Sequence, residues 1–209
     1  MAKTYKRLVL PEALGVYAYI WEPRPKKKGE EDKKEEKYGI TLLWDKTAEG
    51  RAPPELRALQ DAIVEAATSE FGKDKDGNPV DVVDRLRRGL LHNPLGDGDV
   101  QHPDDKLFKG RVYVNCNSRV QPEIVDRKVQ PVLDQKAAYA GCFFRASVAV
   151  HAFENSGKRG VSVALNNLQV TRTGPRMDGR KSATEDFKEV DGPAGAPAGV
   201  KAPTGANLL

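Results

Sequence analysis

Phe143-Phe144-Arg145-Ala146-Ser147-Val148-Ala149-Val150-His151-Ala152-Phe153 alternates between two kinds of side chain along its whole length. The even positions Phe144, Ala146, Val148, Val150 and Ala152 are all apolar, while the odd positions carry Phe143, Arg145, Ser147, Ala149, His151 and Phe153. Successive side chains of an extended strand point to opposite faces, so a period of two predicts a strand with one face in a core and the other carrying rings and charge. Upstream, Arg111 to Val120 repeats the pattern, with Val112, Val114, Cys116 and Val120 on one side and Arg111, Tyr113, Asn115, Asn117 and Arg119 on the other. Downstream, Val161, Val163 and Leu165 give way to Leu168 and Val170 after Asn166-Asn167, a change of register that predicts a β-bulge.

Charge is concentrated in the same region. The 209-residue chain has a formal net charge of only +4, but between Arg111 and Arg180 eleven Lys and Arg face five acids. A basic zone on strands that also present aromatics is the footprint of a surface for a polyanion whose bases stack, which singles out single-stranded nucleic acid. A solvated strand face is the plainer reading of the same residues, since sheet surfaces often carry Arg, Tyr and Thr. The only cysteines, Cys116 and Cys142, fall on apolar faces, which predicts reduced core thiols; their spacing excludes a self-contained zinc motif. No apolar signal region opens the chain and no run approaches the ~18 residues needed to span a bilayer. The expectation is a soluble cytoplasmic chain without a membrane partner.

Toward the N-terminus, Gly15 to Trp21 reads as a strand with Val16, Ala18 and Ile20 on one side and Tyr17, Tyr19 and Trp21 on the other. Alternation leaves open which row is buried, because three rings bring the larger apolar area. Residues 24–37 are dominated by Lys, Glu and Asp and predict a solvated, mobile loop leading to a second strand, Tyr38 to Trp44. Pro53-Pro54-Glu55 opens one clear amphipathic helix through Leu56, Leu59 and Ile63, stopped by Gly72; Val82 to Leu91 is a shorter candidate. These elements give a mainly β chain with one or two helices. Residues 1–188 form the expected domain, and residues 189–209, rich in Gly, Pro and Ala, a disordered tail.

Chemistry-bearing motifs are sparse. Asp97, Asp99, Asp104 and Asp105 offer oxygen ligands for a magnesium- or manganese-dependent nuclease, but Pro94-Leu95-Gly96-Asp97-Gly98-Asp99 is equally the vocabulary of tight turns and lacks calcium-loop spacing. Asp74-Lys75-Asp76-Gly77-Asn78 also reads as a turn. There is no nucleophile elbow and no phosphate-cradling loop, and none of His92, His102 and His151 has an evident catalytic partner. The expectation is a non-enzymatic protein with no cofactor. An interaction module, with the rings as interface and the cations as rim, is a third reading.

In order along the chain stand Lys37-Tyr38-Gly39-Ile40-Thr41-Leu42-Leu43 after an early Trp-Glu-Pro, then Pro94-Leu95-Gly96-Asp97-Gly98-Asp99, Phe108-Lys109-Gly110 and Tyr139-Ala140-Gly141-Cys142. Gly160 to Val170 and Asp178-Gly179-Arg180 before Asp186-Phe187 complete the set. This ordered set, over roughly residues 14–188, resembles a family of tailed-phage single-stranded DNA-binding proteins built on an OB-fold. The resemblance implies an OB-fold-like antiparallel β-barrel with an added helix that binds single-stranded DNA without sequence preference in replication or recombination. Partner replication or recombination proteins and a homo-oligomer are compatible with it. One departure is the tail, which from residue 192 has no Asp or Glu, whereas many proteins of this type end in an acidic tail. Sorting of strand faces, independently of the family, nominates Arg111, Arg119, Arg145, Lys158 and Arg159 for phosphates. It nominates Tyr113, Phe143, Phe153, Tyr139, Trp44 and Tyr17 for bases.

Overall fold

The computed structural model describes residues 5–25, 36–155 and 157–177. Most of the charged tract 24–37 and the whole tail 189–209 lie outside the described residues, as does the segment from Asp178 to Phe187. The strands are β1 (Lys6–Val9), β2 (Ala13–Tyr19), β3 (Tyr38–Asp45), β4 (Leu95–Asp97), β5 (Arg111–Ser118), β6 (Glu123–Val125), β7 (Phe143–Asn155) and β8 (Lys158–Arg172). One turn of 3-10 helix, Pro54–Leu56, leads into α1 (Arg57–Phe71), and α2 (Val82–Arg87) and α3 (Gly98–Gln101) are short.

Five strands close a ring. β7 pairs with β2, β2 with β3, β3 with β5, β5 with β8, and β8 returns to β7. Neighbours in a ring of five cannot all run antiparallel, because alternating direction around an odd number of strands leaves one mismatched pair. Here that pair is β5 and β8, parallel at Cys116↔Val163 and Asn117↔Ala164, and β6 also runs parallel to β8. The barrel is therefore OB-fold-like, as the family resemblance implies, but mixed rather than wholly antiparallel. β1 extends the sheet along β7, and β4 pairs with the start of β5.

The barrel interior is the apolar row that opened the sequence reading. Phe144, Ala146, Val148 and Val150 of β7 are fully buried, together with Val161, Val163, Leu165 and Leu168 of β8 and Val112, Val114 and Cys116 of β5. The bulge falls where the asparagine pair stands: Ser147 faces Asn167 and Val148 faces Leu165, so Asn166 is the extra residue. It turns Leu168 and Val170 back into the core. α1 buries Leu59, Ala62, Ile63, Ala67 and Phe71 in the same cluster, and Gly72 ends the helix by donating its N–H to the Thr68 carbonyl. Both cysteines are free and buried, and burial pushes the Cys116 thiol up to about 12, which keeps it protonated and unreactive.

β2 departs from simple alternation. Tyr17 sits at φ 48, and the register with β3 shifts between Val16 and Tyr19. The irregularity exchanges the two faces along this segment: Val16 packs outside the barrel with Leu43, whereas Ile20, just past the strand, packs inside it. Neither a small-residue row nor a ring row runs the length of this segment. Trp21 returns to the core edge and donates its indole N–H to the Ala138 carbonyl at 2.8 Å.

A second, smaller apolar layer covers part of the outer face of β2, β3 and β5. Val16, Leu43 and Tyr113 point outward there and are covered by Phe108, brought over by the segment after α3. Gly98 permits the approach: a Cβ at that position would stand 2.1 Å from the Phe108 carbonyl oxygen. This wrapping segment sets one border of the site described next.

Candidate nucleic-acid interface

Beyond the Phe108 layer, the outer face of β2, β3 and β5 stays open and forms the floor of a groove. A cleft of about 950 Å³ lies between the loop after α2 and the tip of the β7–β8 hairpin, with His92, Phe153, Lys158 and Arg159 on its walls and Tyr113 and Asn115 on its floor. Two smaller hollows of about 200 and 260 Å³ adjoin it through Asn115; Tyr17, Tyr19 and Arg24 line both. Asn115 borders all three spaces, so they read as one groove across the sheet.

Backbone pairing builds the hairpin wall. The His92 N–H donates to the Arg159 carbonyl at 3.0 Å, and the Val161 N–H donates to the His92 carbonyl at 2.9 Å. Gly160 makes this possible: its φ is 154, and a Cβ there would lie 2.4 Å from the His92 nitrogen. The His92 ring is fixed as well, since Nδ1 is 2.9 Å from the Val161 carbonyl, an oxygen that only accepts, and the ring meets Phe153 edge-on at 5.9 Å. Arg87 from α2 joins Lys158 and Arg159 at this end. At the other end Arg24 reaches over the Tyr19 ring, Lys37 lines the hollow, and Tyr17 stacks at 6.3 Å on Phe108, which in turn stacks on His102 at 4.2 Å. Rings and cations thus stand at both ends of the groove.

The chain matches the family described as "Enterobacter phage Enc34, ssDNA-binding protein" over residues 7–196. It belongs to this family of phage single-stranded DNA-binding proteins. Among solved structures it is similar to the single-stranded DNA-binding protein of bacteriophage Enc34 in complex with ssDNA, at 18% identity and a TM-score of 0.63, covering 82% of this chain and 89% of that one. It is also similar to gp2.5, a single-stranded DNA-binding protein encoded by bacteriophage T7, at 15% identity and a TM-score of 0.53, covering 92% of this chain and 100% of that one. No curated protein sequence matches it.

Within this family member the residues nominated by strand-face sorting fall into four groups. Tyr17, Phe153, Lys158 and Arg159 line the groove, and the Tyr17 ring is 52% exposed. Tyr113 reaches the floor, but it is only 7% exposed, and its hydroxyl donates to Oε1 of Gln101. Trp44 is also 7% exposed and lies inside the barrel with Ile40 and Leu42, so the face assigned to it is corrected: β3 turns it inward, and no base can stack on it.

The remaining candidates lie elsewhere. Phe143 shares a strand face with Phe153 but is ten residues, about 33 Å, away along β7. Its ring is covered by the Arg172 guanidinium at 3.3 Å, which Glu12 holds at 2.9 Å. Tyr139 donates its hydroxyl to the Gly174 carbonyl at 2.9 Å, under Arg176 at 4.4 Å. Arg145 reaches Gln169 across the β7–β8 pair, and Arg119 stands exposed just past β5. Arg111 pins the barrel rim, donating to Asp45 at 2.8 Å and to the Leu107 carbonyl at 2.9 Å.

The acidic cluster is built as a structural knot. Lys46 donates to Asp97 at 2.5 Å and to Asp99 at 2.6 Å; Asp99 also accepts the Gly110 N–H at 2.8 Å, and Asp105 the Leu107 N–H at 2.9 Å. The Lys46 ammonium and the Gly110 N–H hold the Asp99 carboxyl below its ordinary range. Among the described residues, no three His, Cys, Asp or Glu side chains come together as a metal cage. The nuclease reading has no support in this geometry. Asp74 likewise caps its own turn, accepting from the Asp76 and Asn78 N–H groups. No helix among the described residues is long and apolar enough to cross a membrane.

Arg24, Lys37, Arg87, His92, Gln101 and His102 were not nominated by the sequence, although Arg24 and Lys37 bound a tract already read as charged. The others come from a loop and two short helices with no strand periodicity to sort them, and tertiary pairing alone brings them to the groove.

Proposed function

We propose that this protein coats single-stranded DNA without a fixed sequence during phage replication or recombination in the host cytoplasm, acting by binding rather than by catalysis. The strand lies in the groove over β2, β3 and β5, its phosphates beside Arg24, Lys37, Arg87, Lys158 and Arg159. Its bases stack against Tyr17, Tyr19 and Phe153. The observation that carries this reading is the groove itself, open for its length and bordered by rings and cations at both ends. Each stacked base contributes about 1–3 kcal/mol, and a ring accepts any base because every base has a π-face.

A labelled oligo-dT titrated at several salt concentrations tests the reading. Five phosphate contacts predict a slope of log K against log salt of about −3.5, from about −0.7 per contact. Duplex of equal length is expected to bind more weakly, because its bases are stacked on each other and unavailable to the rings. A flat salt dependence, or equal affinity for duplex, contradicts it.

A further inference from the structure

Two carboxamides on the floor of the groove turn their oxygens toward the protein. Asn115 stands opposite Thr41 in the β3–β5 register, and the Thr41 hydroxyl donates to its Oδ1 at 2.6 Å. Thr41 is the one buried polar residue among those described. A buried hydroxyl proton needs an acceptor, so the amide is held with its oxygen inward. The buried Tyr113 phenol makes the same demand on Gln101, fixing Oε1 in its direction.

What remains for the groove is the amino end of each amide, which only donates hydrogen bonds. We propose that these two outward amide donors bind the carbonyl oxygens of bases, with Asn115 as the central contact, so that the protein favours carbonyl-bearing bases such as thymine. The inference rests on the groove reading above and adds a base contact that rings and cations do not supply. Stacking is indifferent to which atoms lie on a base edge, whereas a fixed N–H is not. Adenine has no carbonyl; its ring nitrogens can accept, but the exocyclic amine beside N1 and N7 meets these donors unfavourably. Thr41 is a positioning residue here: it touches no base and acts by orienting Asn115.

The test compares oligo-dT with an oligomer carrying 2,4-difluorotoluene in place of thymine, which keeps the shape and stacking area but lacks both carbonyls. It uses the full chain and its Asn115→Asp variant. Aspartate still accepts from Thr41, preserving the fold, but presents an acceptor to the groove. Its added charge weakens both oligomers alike and cancels in their ratio. The wild-type protein is expected to bind oligo-dT roughly three- to ten-fold more tightly than the surrogate, the range for one net hydrogen bond. In Asn115→Asp the ratio falls to one or below, and in Thr41→Val it falls part-way, with melting temperatures recorded for each. Equal binding of the two oligomers by the wild type, or an unchanged ratio in Asn115→Asp, overturns the proposal while leaving the groove in place. Failure of the wild type to bind either oligomer overturns the groove reading with it.

Discussion

Reversing both cations at the hairpin tip, Lys158→Glu with Arg159→Glu, is expected to weaken oligo-dT binding on the order of 100-fold at 0.1 M salt. At that concentration each lost phosphate contact on a single strand weakens binding about five-fold through counterion release, and the introduced acids add repulsion. The salt slope should become shallower by about 1.4, two contacts' worth. Both positions are exposed at the end of a hairpin, and no buried group depends on them, so thermal stability should barely move. The same reversal at Arg145 supplies the comparison. It lies on the same hairpin, paired to Gln169 and outside the groove, and should change affinity several-fold at most. Equal losses from the two reversals would mean that the basic surface acts diffusely and that the groove has no special standing.

Phe144→Ala carries the largest expected effect on stability, about 3–5 kcal/mol in urea unfolding, with the m-value unchanged. Phe144 is fully buried, and its ring fills the space over Gly15 of β2: a Cβ on that glycine would meet the ring at 2.5 Å. Alanine leaves a cavity at the seam where β7 and β2 close the barrel, and the glycine has no side chain with which to refill it. For a chain of this size the melting temperature should fall by about 10 °C or more. DNA affinity of the fraction that remains folded is expected to hold, because the ring has no surface in the groove.

The contrast between these two substitutions reflects how much of the molecule its sequence discloses. β7 is long, 13 residues, and period two is unmistakable over that length, so both its core row and the bulge opposite it in β8 were legible. β4 and β6, at three residues each, and β1, at four, are too short to show any period and were missed. β2 was misread for a different reason. One residue at positive φ, Tyr17, swaps the faces midway, and nothing in Val16-Tyr17-Ala18 announces the swap.

The site was half legible for related reasons. Alternation shows which residues point away from the barrel interior, and it puts Phe153 on that row while leaving the facing of Tyr17 open. It cannot show that a later segment folds back over part of that face. Phe108 does so, which is why Tyr113 is buried on the outer side. Nor does alternation report distance along a strand: Phe143 and Phe153 belong to one row yet stand at opposite ends of β7, the first beneath Arg172 and the second beside His92. Arg87 and His92 reach it through the pairing of His92 with Gly160, a contact between segments far apart in the chain.

On the proposed reading, single-stranded DNA runs along the groove over β2, β3 and β5 and touches the Phe153 end of β7. The most direct measurement is the oligo-dT affinity of Phe153→Ala beside that of Phe143→Ala at one salt concentration. Phe153→Ala is expected to bind about 5- to 150-fold more weakly, the range for one lost stacking contact, while Phe143→Ala binds like the unsubstituted protein. Loss of affinity in Phe143→Ala with none in Phe153→Ala would place the strand at the other end of the barrel and contradict the claim.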